Sequence, residues 1–84
     1  MSDLQAQFEA AVARSKTLAE RPDNASLLKL YALYKQASEG DVSGSKPGMF
    51  DMVGQAKYNA WHAIKGTSQE NAMQQYIELV QKLS

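Results

Sequence analysis

Tyr31, Tyr34 and Lys35 share one helical segment, and Lys57, Tyr58 and Trp61 share the next. Aromatics and lysines on facing helices would make a groove for an anion that carries a ring. Tyr31 and Lys35 are four residues apart, hence on one helical face, and Lys57 joins them if the second segment lies alongside the first. Two ammonium groups and a phenol form a compact phosphate site. Lysine is a mobile point charge with three donors, and tyrosine adds a further donor and a flat surface for a base. Taken singly, Lys35 and Lys57 read as solvated surface and Tyr31 and Tyr34 as half-buried core; only the combination points to a ligand.

Other chemistries find little support. His62 is the sole histidine, beside Trp61 on a helix, where a lone imidazole is more often a surface or packing group than a general base. No nucleophile and base recur at a motif spacing, so no catalytic residue is expected. No histidine pair exists and there is no cysteine; Glu39, Asp41, Asp51 and Glu70 read as cap and loop residues, so no metal site is expected either. Gly40, Gly44 and Gly48 lack the GK[ST] ending of a nucleotide-binding loop.

Four segments must position the groove. The 84 residues contain 44% hydrophobic and 21% charged side chains, enough for one folded unit over 1–84 and no second catalytic domain. Helical spacing appears four times and sustained two-residue alternation nowhere, so the class is all-α. The first helix is predicted over about 3–20, with Leu4, Phe8, Ala11, Val12, Ser15 and Leu18 on one stripe, a Ser2/Gln5 capping box and Pro22 as its stop. The second, about 25–39, is capped by Asp23 or Asn24 and closes at Gly40. It is apolar over more than one stripe, which predicts core on one side and a neighbour or ligand on another. The third, about 51–65, is capped by Asp51 and stops at Gly66, with Met52, Val53, Ala56, Ala60, Trp61 and Ile64 facing inward. Thr67 and Glu70 would cap the fourth, in which Ala72, Met73, Tyr76, Ile77, Val80 and Leu83 repeat at helical spacing while its glutamines face water.

Short first and third connections predict antiparallel neighbours: helix one beside two, and three beside four. The middle connection, 40–50, could span ~36 Å extended, more than the ~22 Å of a 15-residue helix, so it could return along the bundle and leave helices two and three parallel. Pro47 and Gly48 fit the central positions of a type II turn within it. Leu27, Leu28, Met52 and Val53 serve equally well as core or as the lining of a groove for an apolar tail.

Three segments carry a resemblance to a known family: YALYKQASEGDV (31–42), KPGMFDMVGQAKYNAW (46–61) and KGTSQENAMQQYI (65–77). Their YKQA, GD, PGM, AK-aromatic-x-AW and KGTS-x-E-x-AM-x-x-YI elements closely resemble the acyl-CoA-binding protein family, in its order and spacing and over nearly the whole chain. The resemblance implies a four-helix bundle of up-down-down-up topology that binds long-chain fatty acyl-CoA reversibly, as ligand rather than cofactor, and performs no chemistry. It further implies that Tyr31, Lys35 and Lys57 hold the 3′-phosphate and adenine, and that Tyr76 approaches the CoA head group. Lys16 would reach in from helix one, and Leu27, Leu28 and Tyr31 would line the acyl groove. Tyr34 and Val53 complete the candidate ligand-binding set. Val53 and Gln55 stand where family members often carry lysine, Tyr58 stands where tryptophan is common, and the chain stops at Ser84 without the basic extension that many members have.

Nine Lys and Arg balance nine Asp and Glu, so no overall field favours nucleic acid or an anionic membrane. No run approaches a membrane span and the amino terminus lacks signal-peptide character. The expected protein is a cytoplasmic monomer, an acyl-CoA carrier and buffer with transient contacts to acyl-CoA-using enzymes. The alternative is a helical interaction module whose aromatic face docks a partner helix or peptide.

Overall fold

Residues 2–44 and 46–84 are described by the computed structural model, the side chain of Ser2 excepted. The chain forms α1 (Ser2–Ser15), α2 (Asn24–Glu39), α3 (Met52–Ala63) and α4 (Gln69–Leu83), with no strand among the described residues. α2 is delimited as its sequence predicts: Asp23 is the cap, its Oδ1 accepting the Ser26 amide at 2.9 Å, and Gly40 closes the helix at φ 84°.

Side-chain contacts fix the directions. The middle of α2 lies beside the middle of α3, where Lys57 sits over Tyr31, and late α2 beside late α3, where Trp61 meets Gln36 and Gly40. The two helices are therefore parallel, and the long connection does return along the bundle. α2 and α4 are antiparallel, since Gln36 at the end of α2 reaches the Thr67 carbonyl just before α4. The chain just after α1 lies beside the end of α4, at Arg21 and Lys82, so those two helices are parallel. The result is the up-down-down-up four-helix bundle.

Which helices pack together differs from the reading of loop lengths. α1 packs on α4, α4 on α2 and α2 on α3; α1 meets α2 only through side chains such as Phe8 and Tyr34, and α3 is not packed on α4. The core is thus built from α1, α2 and α4 around Leu33, Ala72, Tyr76 and Val80, while α3 contributes a single buried residue, Trp61. Met52 and Val53, expected to face inward, are 77% and 67% exposed, because α3 has only one helix to lean on.

Three helix boundaries and one turn differ from the sequence reading. α1 ends at Ser15, well before Pro22: Ser15 and Thr17 donate their hydroxyls back to the Val12 and Arg14 carbonyls and close the last turn. The expected box at its start rests on the Ser2 side chain, outside the described residues, and Gln5 donates forward to Glu9. α3 unwinds after Ala63 into a turn, with Gly66 following at φ 95°. α4 is capped by Ser68, whose Oγ accepts the Asn71 amide at 3.0 Å, and not by Thr67, whose carbonyl is held by Gln36. In the long connection Gly48 does not take the positive φ of a type II turn. Its carbonyl accepts the Asp51 amide at 3.0 Å and the Gln55 side chain at 2.7 Å, so the turn centres on Met49 and Phe50. Asp51 caps α3 as its sequence predicts, accepting the Gly54 amide at 2.9 Å.

Candidate functional site

The parallel packing of α2 on α3 aligns two four-residue steps, Tyr31 to Lys35 and Lys57 to Trp61. They interlock crosswise. The Lys57 ammonium lies 5.2 Å from the Tyr31 ring centre, and the Lys35 ammonium 5.1 Å from the Trp61 ring centre. Each lysine thus has an aromatic face across the helix interface, a contact that steadies a cation without neutralising it. Lys35 also pairs with Glu39, one turn further along α2, and this partner, more than any other, raises its pKa. Among the described residues this is the one ion pair.

The far end of this interface is locked. Gln36 is wholly buried; its Nε2 donates to Asp41 Oδ1 at 2.8 Å and to the Thr67 carbonyl at 2.6 Å, while its Oε1 accepts from Trp61 Nε1 at 3.1 Å. Trp61 Nε1 donates as well to the Gly40 carbonyl at 2.9 Å, and Asp41 Oδ1 accepts the Gly66 amide at 2.8 Å. The Gly66 amide and Gln36 together hold the Asp41 carboxyl below its ordinary pKa. Three chain segments are joined here with no buried side-chain polar atom left unpaired among the described residues, which fixes Trp61 and, through it, the plane under Lys35.

Two clefts flank α2. One, of about 460 Å³ between α2 and α3, is lined by Leu27, Leu28, Tyr31, Met52, Val53, Ala56 and Lys57, with Arg21 and Asn24 at its end. The other, of about 310 Å³, lies among α1, α2 and α4 and is lined by Val12, Ser15, Lys16, Leu27, Leu30, Tyr31, Tyr34 and Tyr76. Leu27 and Tyr31 line both and form the ridge between them. Tyr76 is buried, which raises its phenol pKa, and donates to Ser15 Oγ at 3.0 Å. Its ring packs edge-on against Phe8 at 5.3 Å, and Phe8 stacks on Tyr34.

Every candidate from the sequence lies on one of these features. Lys16, Tyr34 and Tyr76 line the smaller cleft, Leu28, Val53 and Lys57 the larger, and Leu27 and Tyr31 both; Lys35 stands outside both, over Trp61. Arg21, Asn24, Ser15 and Ala56 were not anticipated as lining. Ser15 and Ala56 occupy positions whose helical spacing assigned them to the core stripe, and Arg21 was a basic residue in a short connection with no face to place it on. Glu39 and Gln36 were also missed, the first because it read as a cap, the second because one polar residue in an apolar run gives no hint of its partners. His62 is exposed and stacks on Tyr58. Among the described residues no group of His, Cys, Asp or Glu is arranged to hold a metal, and no helix is long and apolar enough to cross a membrane.

Known proteins resemble this chain over nearly its whole length. The family described as acyl CoA binding protein matches residues 5–80. The acyl-CoA-binding protein homolog of Drosophila melanogaster is 49% identical over 77 residues, which cover 92% of this chain and 90% of that one. Human enoyl-CoA delta isomerase 2 is 46% identical over 80 residues, 95% of this chain but 20% of that much longer protein. The crystal structure of acyl-CoA-binding protein 2 from Oryza sativa superposes with a TM-score of 0.91 at 42% identity, covering 95% of this chain and 89% of that one. A family match across most of the chain, a relative almost half identical along nearly its full length and a superposing four-helix bundle all say the same thing: the chain belongs to the acyl-CoA-binding protein family.

Proposed function

We propose that this chain binds long-chain acyl-CoA thioesters reversibly and without catalysis, as a carrier and buffer, and that 1–84 acts as a single binding unit. The observation that carries the reading is the position of Tyr31, which lines both clefts while Lys57 stands over its ring. One amphiphile laid across that ridge meets cations and aromatic faces at one end and Leu27, Leu28 and Val53 at the other.

In this reading Lys35 and Lys57 take the 3′-phosphate, the Tyr31 ring stacks on or contacts adenine, and Lys16, Tyr34 and Tyr76 face the remainder of the head group. The phosphates bring several charges and need fixed cations, whereas each tail methylene removed from water contributes ~0.8 kcal/mol. A ligand with both ends therefore binds far better than either half. Tyr76 is held by Ser15, so it meets the ligand as a fixed surface. The rest of the reading is a cytoplasmic monomer with no nucleic-acid partner, no stable membrane insertion, no cofactor and only transient contacts with enzymes that make or use acyl-CoA.

Calorimetry with palmitoyl-CoA, free CoA and palmitate tests it. Palmitoyl-CoA is expected to bind far more tightly than either fragment, with a change in Trp61 fluorescence. Equal affinity for all three, or binding of none, would reject the reading.

A further inference from the structure

Glu39 has no part in the ligand set above, yet its carboxylate holds the Lys35 ammonium. It is the last residue of α2, whose final turn carries no basic residue. A carboxylate there faces the negative end of the helix dipole, an unfavourable place for it on local grounds. Among the described residues its one ionic partner is Lys35, and the pair is open to solvent, with 23% of the lysine side chain and 53% of the glutamate side chain accessible. Such a pair is worth little and is readily exchanged.

Resting on the assignment of Lys35 to the phosphate, we infer that Glu39 is an internal competitor for that lysine, a carboxylate standing where a ligand phosphate oxygen must come. A phosphate monoester carries nearly two charges near neutral pH and three acceptor oxygens, so it displaces a single carboxylate where a weaker anion does not. The displaced Glu39 then stays close and repels the bound phosphate. Both effects lower affinity, and both act only on ligands that present a phosphate to Lys35. Glu39 thereby sets how strongly the site discriminates between phosphorylated and dephosphorylated forms of one thioester. Lys57, whose contact is the uncharged Tyr31 ring, has no such competitor among the described residues.

The opposite role for Glu39, orienting Lys35 for the ligand, predicts the opposite sign, so one substitution separates them. Glu39→Gln keeps length and hydrogen bonding and removes the charge. Titrated with palmitoyl-CoA, it is expected to bind about 3- to 10-fold more tightly than the parent, with a change of less than about 2-fold for the 3′-dephospho thioester. In a Lys35→Ala background the gain should largely vanish. Unchanged or weaker binding of palmitoyl-CoA by Glu39→Gln would overturn the inference, as would an equal gain for both thioesters. Lys35→Ala alone tells the two failures apart: if it leaves palmitoyl-CoA binding intact, the phosphate assignment has failed, and if it weakens binding while Glu39→Gln gives no gain, only the competitor role has.

Discussion

Trp61 donates its indole N–H to the buried Gln36 side chain at 3.1 Å, a bond between residues 25 apart in sequence that crosses the interface of two parallel helices. α3 has no other buried residue, so this bond and its neighbours bear most of the burden of keeping α3, and with it Lys57, at a set height against α2.

Replacing Gln36 by Leu therefore tests the lock directly. The change is close in size and leaves Trp61 its bond to Gly40, but strips the Thr67 carbonyl and Asp41 of a donor. The expected loss is about 0.5–1.5 kcal/mol, the usual net worth of an intramolecular hydrogen bond, since the half-buried Thr67 carbonyl loses its donor while the exposed Asp41 carboxylate can turn to water. Urea unfolding followed by Trp61 fluorescence reads it as a lower midpoint at unchanged slope. A midpoint equal to that of the parent would mean that the network is dispensable.

Acid should loosen the same corner. Asp41 has its pKa lowered from the ordinary 3.8, chiefly by the Gly66 amide and then by Gln36. A carboxyl depressed in the folded state contributes stability that is present above its unfolded pKa and is lost as pH falls through the folded value. Asp41→Asn should therefore melt below the parent at pH 6, and the gap should close as pH falls below about 4. Melting curves from pH 6 to 2.5 check this; a gap that widens toward acid has the wrong sign for the assigned cause.

How much of this was legible in the chain follows from which interactions are local. α2 was readable to within a residue because Asp23 and Gly40 act on their own turns. α1 overran because a continuous apolar stripe says nothing of two hydroxyls folding back on the last carbonyls. The cap of α4 shifted from Thr67 to Ser68 because Gln36, thirty-one residues earlier, takes the Thr67 carbonyl, and no local pattern encodes that. Periodicity placed Met52 and Val53 on the same helix as Trp61 but could not tell a face packed on a neighbour from one bordering an open cleft. For the same reason the pairing of α1 with α4 was beyond loop length alone. Spacing puts Tyr31, Lys35, Lys57 and Trp61 forward as neighbours and the family resemblance supplies the remaining candidates; what the structure adds is the crosswise contact between the four.

That crosswise contact leads to a non-additivity prediction. Lys35→Ala and Lys57→Ala should each weaken palmitoyl-CoA binding by about 1.5–3 kcal/mol, the range for hydrogen bonds to a charged group. If both lysines serve one phosphate, as proposed, the double variant should lose less than the sum. Isothermal titration of the four proteins completes the cycle. Strict additivity would place the two lysines on separate groups of the ligand.

Val53 offers the last test, on the apolar side. It is two-thirds exposed yet lines the larger cleft with Leu28 and Met52, where many family members present a lysine. If the acyl tail lies in that cleft, Val53 is covered only by chains long enough to reach it. Val53→Ser removes apolar contact without adding charge, so short acyl-CoA should bind as it does to the parent, while long acyl-CoA loses about 0.5–1 kcal/mol, the scale of one methylene or methyl group removed from water. Affinity plotted against chain length should then follow the parent up to one length and fall below it beyond. A uniform loss at every length would mean that Val53 contacts the head group or alters the fold, and no loss at any length would put the tail elsewhere, leaving the smaller cleft beside Tyr76 as its place.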